Sequence, residues 1–97
     1  MVPSVSRCVP RGRITFVVRN TGTLDHELVV LRTSRAPGRL PVKGSGASEA
    51  GFQGETPELR PGQRRRLTLR LRSGKYVLLC NLPGHYKAGQ FSSFCVR

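Results

Sequence analysis

The sequence is poor in acidic residues and has no long apolar run, and both absences narrow the possible functions. Five Asp and Glu stand against seventeen Lys and Arg among 97 residues, which gives a formal net charge of +12 at pH 7. This charge favours contact with acidic proteins, anionic lipid headgroups or nucleic acid. No segment approaches the ~20 consecutive apolar residues that cross a bilayer, and the first residues lack the pattern of a signal peptide. The chain as printed is therefore expected to be soluble.

Two kinds of motif are also missing. No recognition helix, basic arm or zinc-finger spacing accompanies the scattered basic residues, so we expect no nucleic-acid partner. No Cys-x-x-Cys pair is present among the three cysteines, which disfavours a structural zinc site.

The apolar residues occur in short runs that are typical of an all-β protein. Each run, such as 14–18 or 76–79, is followed within a few residues by Gly, Pro, Asn or Asp. The length fits a single domain over residues 1–97. We predict strands at 4–9, 14–19, 27–32, 64–72, 76–80 and 91–96. Alternation places Leu67, Leu69 and Leu71 on one face of their strand, and Tyr76, Leu78 and Cys80 on one face of theirs.

Residues 33–58 form a long excursion rich in Gly, Pro, Ser and Ala. Structureless loops of that length are uncommon in compact domains, so a short strand is expected near 40–42 or 51–54. Leu40, Val42 and Phe52 are its plausible anchors to the core.

The residues most informative about chemistry lie between the last two predicted strands. Cys80, His85 and Gln90 follow one another at intervals of five, with a Pro83-Gly84 bend between the first two. His26, at the start of a distant strand, can complete the set. Two imidazoles, one thiolate and a weak axial donor suit both oxidation states of copper. Taken alone, His26 is more often a histidine bonded to backbone, and a loop glutamine is commonplace.

Four segments, 20–30, 59–62, 74–76 and 80–90, closely resemble bacterial plastocyanin-like cupredoxins. The resemblance implies a Greek-key β-sandwich, all-β and cupredoxin-like, with one type 1 copper ion near one end. It assigns the strong ligand roles to His26, Cys80 and His85. Gln90 falls where the family usually has methionine, which is the pattern of the plant stellacyanins.

The function implied by this resemblance is one-electron transfer by a blue copper protein that is not an enzyme. His85 would offer the route to a redox partner, expected to be acidic because the chain is so basic. The resemblance also implies a periplasmic or extracellular monomer, with peripheral or anchored membrane association possible through a further N-terminal segment. One alternative is a copper-binding module for storage, delivery or oxidase assembly. Another is a Cys-His hydrolase or transferase, although no third orienting residue is recognisable.

Cys8 and Cys95 remain after Cys80 is assigned. These two cysteines are enough for one disulfide, and the family is expected outside the cytoplasm, where disulfides persist. The sequence leaves two outcomes open, a disulfide or two unpaired surface thiols.

Overall fold

The computed structural model describes residues 8–97, and they form an all-β sandwich, which confirms the predicted fold class. The strands within this range are β1 (Gly12–Arg19), β2 (Val29–Arg32), β3 (Val42–Lys43), β4 (Gly46–Ala47), β5 (Phe52–Glu55), β6 (Arg64–Leu71), β7 (Gly74–Leu79) and β8 (Phe91–Val96). A 3-10 turn occupies Pro37–Arg39. The predicted strands at 14–19, 27–32, 64–72, 76–80 and 91–96 are confirmed, with ends shifted by at most two residues.

β1 and β6 pair along their full length as an antiparallel two-stranded sheet. Their side chains alternate between partly buried and exposed, as the alternation of Leu67, Leu69 and Leu71 predicts. The inward row packs on the other sheet and includes Ile14, Phe16 and the three leucines. The outward row is exposed to solvent.

The second sheet has the strand order β5-β2-β7-β8 and is covered on both faces. One face packs against the β1–β6 sheet, through residues such as Val30 and Leu78. The other face packs against the excursion and the loop before β8, through Leu31 and Leu79. Because β7 is buried on both faces, its sequence is a continuous apolar run rather than an alternating one.

The excursion is more structured than the sequence predicts. It contains the 3-10 turn, the β3–β4 hairpin and β5. Leu40 is buried as predicted, at 7% exposed, but the prediction is wrong for Val42 and Phe52, which are 47% and 46% exposed. Ala47 contacts the core instead, because the Asn81 side chain bonds to its backbone and holds it there. Phe52 lies on the edge strand β5, where the pairing register with β2 shifts.

The two ends of the described chain are joined covalently. Cys8 and Cys95 form a disulfide with an S–S distance of 2.05 Å and a Cα–Cα distance of 4.5 Å. Val9 pairs with Val96 in a parallel bridge, whereas residues 4–7 of the predicted first strand lie outside the described range. Of the two outcomes that the sequence leaves open, the structure has the disulfide. No helix within residues 8–97 is long and apolar enough to cross a membrane.

Candidate metal centre

His26 is fixed by backbone pairing and by a buried asparagine. Its N–H donates to the Leu59 carbonyl at 3.0 Å, and the Leu59 N–H donates back at 2.7 Å. The Asn20 amide nitrogen donates to the carbonyls of Leu24 (2.7 Å) and Leu59 (2.9 Å), while its Oδ1 accepts the Gly22 N–H at 2.9 Å. The turn before His26 is therefore bonded to the segment around Leu59, with which His26 forms an isolated β-bridge, and the backbone that carries the imidazole is fixed.

Cys80 follows the last residue of β7 and is only 1% exposed. Its N–H donates to the Gln90 carbonyl at 2.9 Å, which joins the two ends of the loop. Its sulfur accepts the Glu27 N–H at 3.4 Å. The backbone N–H of Glu27, the residue after His26, therefore bonds to the Cys80 sulfur and links the two ligand candidates.

The loop between Cys80 and β8 folds back on itself and carries His85 to the sulfur. Gly84 has a φ of +79°, in the left-handed region that favours glycine, and it follows the Pro83 bend. The Ala88 and Gln90 N–H groups donate to the His85 carbonyl at 3.1 and 3.2 Å. His85 Nδ1 consequently lies 3.2 Å from Cys80 Sγ.

The structure brings together the three strong ligands predicted from the sequence. One donor atom from each of His26, Cys80 and His85 lies within 4.8 Å of the others, and the two imidazole centroids are 5.0 Å apart. Gln90 lines the same small cavity, of about 50 Å³, as His26 and Cys80. Its Oε1 is buried and has no hydrogen-bond partner among residues 8–97.

An unpaired buried amide oxygen is rare in native proteins because burial without a partner costs free energy. The Gln90 oxygen is therefore a lone acceptor in a cavity that already contains an imidazole and a thiol. The donor set fits a copper ion, since copper accepts two imidazoles, a thiolate and a weak oxygen donor. If the cavity bound no metal, the buried Gln90 oxygen would have no partner and its burial would remain unexplained.

Burial lowers the pKa of His26, and the nearby His85 lowers it further, while Asp25 acts in the opposite direction. The neutral imidazole, which is the form that binds metals, is thereby favoured near neutral pH. Burial raises the pKa of Glu27, and the neighbouring Glu55 and Glu49 add to that rise. The carboxyl groups of Glu27, Glu49 and Glu55 therefore lie close enough to interact electrostatically.

Two residues that support the site were missed by the sequence reasoning. Asn81 Oδ1 accepts the Ala47 N–H at 2.8 Å, and its Nδ2 donates to the Ala47 carbonyl (3.0 Å) and to Glu49 (2.7 Å). The Tyr86 hydroxyl donates to the Pro37 carbonyl at 2.7 Å and accepts the Leu40 N–H at 2.9 Å. Both tie the excursion to the ligand loop. Their positions beside Cys80 and His85 are the only signal in the sequence that could have singled them out.

Replacing Asn81 by alanine is expected to destabilise the apoprotein by about 1–3 kcal/mol, because the N–H and carbonyl of Ala47 lose their partner in a partly buried site. The cavity should also become less uniform, which would broaden the electron paramagnetic resonance lines of the copper form. Gln53→Ala is the matched control, since this exposed amide on β5 donates to the Gly51 carbonyl and has no other side-chain hydrogen bond within residues 8–97. Equal effects of the two substitutions on stability and line width would show that Asn81 does not support the site.

Comparisons with known proteins agree with this geometry. No protein-family model matches the chain. A copper-resistant cuproprotein, CopI of Vibrio cholerae, is 31% identical over 86 residues, which are 87% of this chain and 50% of that protein. The chain thus spans half the length of this curated relative.

Solved structures give the fold. Dithionite-reduced auracyanin from Roseiflexus castenholzii superposes with a TM-score of 0.71 at 25% identity, over 94% of this chain and 82% of that one. Rusticyanin from Thiobacillus ferrooxidans superposes with a TM-score of 0.69 at 19% identity, over 98% of this chain and 61% of that one. Both are cupredoxins, which are electron carriers and not enzymes. The chain therefore has the cupredoxin fold, and its His26-Cys80-His85 cluster points to one copper ion as the cofactor.

Proposed function

We propose that this chain is a type 1 copper protein that transfers single electrons, with His26, Cys80 and His85 as strong ligands and Gln90 as a weak fourth one. The observation that carries the proposal is the preassembled donor cluster, with three donor atoms within 4.8 Å and an unpaired buried oxygen on the same cavity. Copper, when bound, supplies the Cu(I)/Cu(II) couple. The protein's own part is to hold the donors in place, so that little rearrangement accompanies a change of charge.

Three separate sets of contacts supply that rigidity. His26 is held by the backbone of Leu59, and Cys80 is held by the carbonyl of Gln90. The loop that carries His85 is held by the excursion, since the Gly84 N–H donates to the Ser45 carbonyl at 2.9 Å. None of these anchors uses a donor atom of the cluster, so all of those atoms remain available to a metal.

A titration with Cu(II) tests the proposal. We expect one equivalent to bind and to give the intense visible absorption of a thiolate-to-copper transition, which ascorbate bleaches and an oxidant restores. A protein that stays colourless with stoichiometric Cu(II) contradicts the proposal.

A second candidate function is copper handling, namely storage, delivery or oxidase assembly, and the CopI similarity favours it. Both functions would use the same ligands, so colour does not separate them. Electron self-exchange does, because a carrier must exchange electrons quickly between Cu(I) and Cu(II) forms without releasing the ion. Slow exchange, together with ready release of copper to a chelator, would favour handling.

The Cys-His hydrolase hypothesis finds little support in the site. Cys80 is 1% exposed, so a substrate could not reach its sulfur without a rearrangement of the loop. Two histidines flank the thiol, and a nucleophile needs only one as its base. The structural neighbours are electron carriers.

The Gln90→Met substitution is expected to raise the reduction potential. An amide oxygen is a harder donor than a thioether and favours Cu(II), so its replacement favours Cu(I). We expect a rise of at least about 59 mV, which corresponds to a tenfold change in the ratio of the two affinities for a one-electron couple. Protein-film voltammetry measures it, and Gln53→Met on the exposed face of β5 is the control. A potential that stays constant or falls would remove Gln90 from the ligand set.

We further propose that the protein works in the periplasm or outside the cell. The Cys8–Cys95 disulfide supports this location, because such bonds persist in oxidising compartments and are rare in the cytosol.

A further inference from the structure

The outward face of the β1–β6 sheet carries an unusual concentration of arginine. Because directly opposed residues of an antiparallel pair lie on the same face, the pairing register defines four exposed cross-strand rows. These rows contain Arg13 with Arg70, Thr15 with Thr68, Val17 with Arg66, and Arg19 with Arg64. We call this set of eight residues the arginine face. It holds five arginines and no acidic residue, and it extends roughly 20 Å along the strands, from a rise of about 3.3 Å per residue.

Nothing within the described chain neutralises this face. None of its five guanidinium groups forms an ion pair with a carboxylate among residues 8–97. The acidic side chains are elsewhere: Glu27 interacts electrostatically with Glu49, Glu55 and Glu58, and Asp25 with His26. None of the five acids lies on β1 or β6; Glu27 lines the cavity at the Arg19 end of the face, and Glu55 lies on β5, which contacts β6.

The arrangement is unfavourable for the folded state on its own. Arg13 lies directly opposite Arg70, and Arg19 directly opposite Arg64. Like charges in such positions destabilise a strand pair, and an acidic or neutral residue at either position would relieve the repulsion. The stability of the folded chain therefore does not explain why these arginines are clustered. Binding of an anionic partner does, because it would offset their mutual repulsion.

We propose that the arginine face is the docking surface for an acidic protein. Guanidinium groups pair with carboxylates through two parallel hydrogen bonds, and arginine is enriched in protein interfaces. The hydrogen-bonded Thr15–Thr68 pair, 2.9 Å apart, and Val17, 61% exposed, add neutral polar and apolar contacts between the charges. A lipid surface fits less well, because the face has no row of apolar side chains to insert.

The position of the face links docking to the metal centre, a link that rests on the proposed function. Arg19 belongs to the arginine face and also lines the cavity formed by His26, Cys80 and Gln90. An acidic partner that lies along the face therefore extends, at its Arg19 end, to the edge of the metal centre. The positive charge of the face orients the partner before contact, since complementary potentials steer association.

The test compares two variants of equal net charge. The face variant carries Arg13→Gln, Arg66→Gln and Arg70→Gln, and the control variant carries Arg35→Gln, Arg39→Gln and Lys75→Gln, three exposed positions outside the face. The probe is flavodoxin, a small acidic electron-transfer protein. The face variant loses the Arg13–Arg70 repulsion and is expected to be at least as stable as the parent protein. Weaker binding by this variant would therefore not be explained by misfolding.

Docking is measured first on the copper-free protein, by isothermal titration with oxidised flavodoxin. We expect the face variant to bind at least about tenfold more weakly than the control variant at low ionic strength, with the difference disappearing at high salt. The rate of electron transfer from reduced flavodoxin to the copper form should fall in parallel. Equal weakening in both variants means that net charge alone is responsible and overturns the proposal.

Three other outcomes are informative. If the protein sediments with vesicles containing phosphatidylserine, the face variant alone loses that binding, and both variants bind flavodoxin equally, the face is a lipid site and the proposal is wrong. If the copper-free protein docks through the face but the protein never acquires the visible absorption, docking stands and the proposed electron transfer fails. If instead ascorbate reduces a coloured protein normally while the variants do not differ, electron transfer stands and the docking surface falls.

Discussion

Replacing Cys80 by serine is expected to abolish the intense visible absorption of the copper form and to weaken copper binding by at least about 100-fold. Loss of a group that merely orients a metal ligand typically lowers affinity 10–100-fold, and Cys80 is the thiolate itself. A hydroxyl neither ionises near neutral pH nor couples electronically to copper as sulfur does. Absorption and competition with a chelator of known affinity give the two measurements.

The fold should survive this substitution, which makes the result interpretable. The serine oxygen takes nearly the same place as sulfur and can accept the Glu27 N–H that Cys80 Sγ accepts at 3.4 Å. Circular dichroism of the apoprotein checks this. Cys80 is the free cysteine of the described chain, so titration of the unfolded, unreduced protein should detect one thiol in the parent and none in the variant. An unchanged absorption band in Cys80→Ser would exclude the proposed copper centre.

How much of this site is readable from the sequence depends on how local each residue's role is. Cys80 and His85 lie five residues apart on one turn-rich loop, so their spacing nearly determines that they can meet. His26 is 54 positions before Cys80 and becomes a ligand candidate only because β2 and β7 pair side by side, with Val29 opposite Leu79. Pairing of distant strands follows from the whole sandwich, which no single motif encodes.

The supporting contacts were harder to predict for a related reason. Asn81 and Tyr86 bond to the backbone of residues between 37 and 47, more than thirty positions away. The composition of the excursion gives little hint of this, because its recognition depends on carbonyl and N–H groups that every residue has. Hydrophobicity favours Val42 and Phe52 as anchors, but both are exposed, and the small Ala47 is the residue that the Asn81 side chain holds in place.

The Cys8–Cys95 pair shows the same limit in its simplest form. Counting cysteines leaves a pair without saying whether the two sulfurs meet. They meet because the backbone of residues 9 and 11 runs beside the end of β8, where Val9 N–H donates to the Cys95 carbonyl at 3.0 Å and Arg11 N–H to the Arg97 carbonyl at 2.9 Å. Nothing in the sequence near Cys8 specifies that pairing.

Removing this disulfide, through the double substitution Cys8→Ser and Cys95→Ser, is expected to lower the free energy of unfolding by about 4 to 5 kcal/mol. The bond joins residues 87 positions apart, so it restricts nearly the whole unfolded chain. Urea unfolding of the apoprotein measures the loss. Cys80→Ser apoprotein is the matched control, because it makes the same chemical change without opening a covalent loop.

The copper centre itself should change little in the folded fraction of the double variant. Its ligands are held by contacts with Leu59, Gln90 and the excursion, which do not involve either disulfide cysteine. We therefore expect an unaltered visible spectrum together with a much lower unfolding midpoint. Since small domains are stable by only about 5–15 kcal/mol, a loss of this size leaves little reserve in a reducing compartment. If the double variant instead unfolds at the same urea concentration as the parent, with the same slope, the bond contributes nothing to stability and ceases to support a periplasmic location.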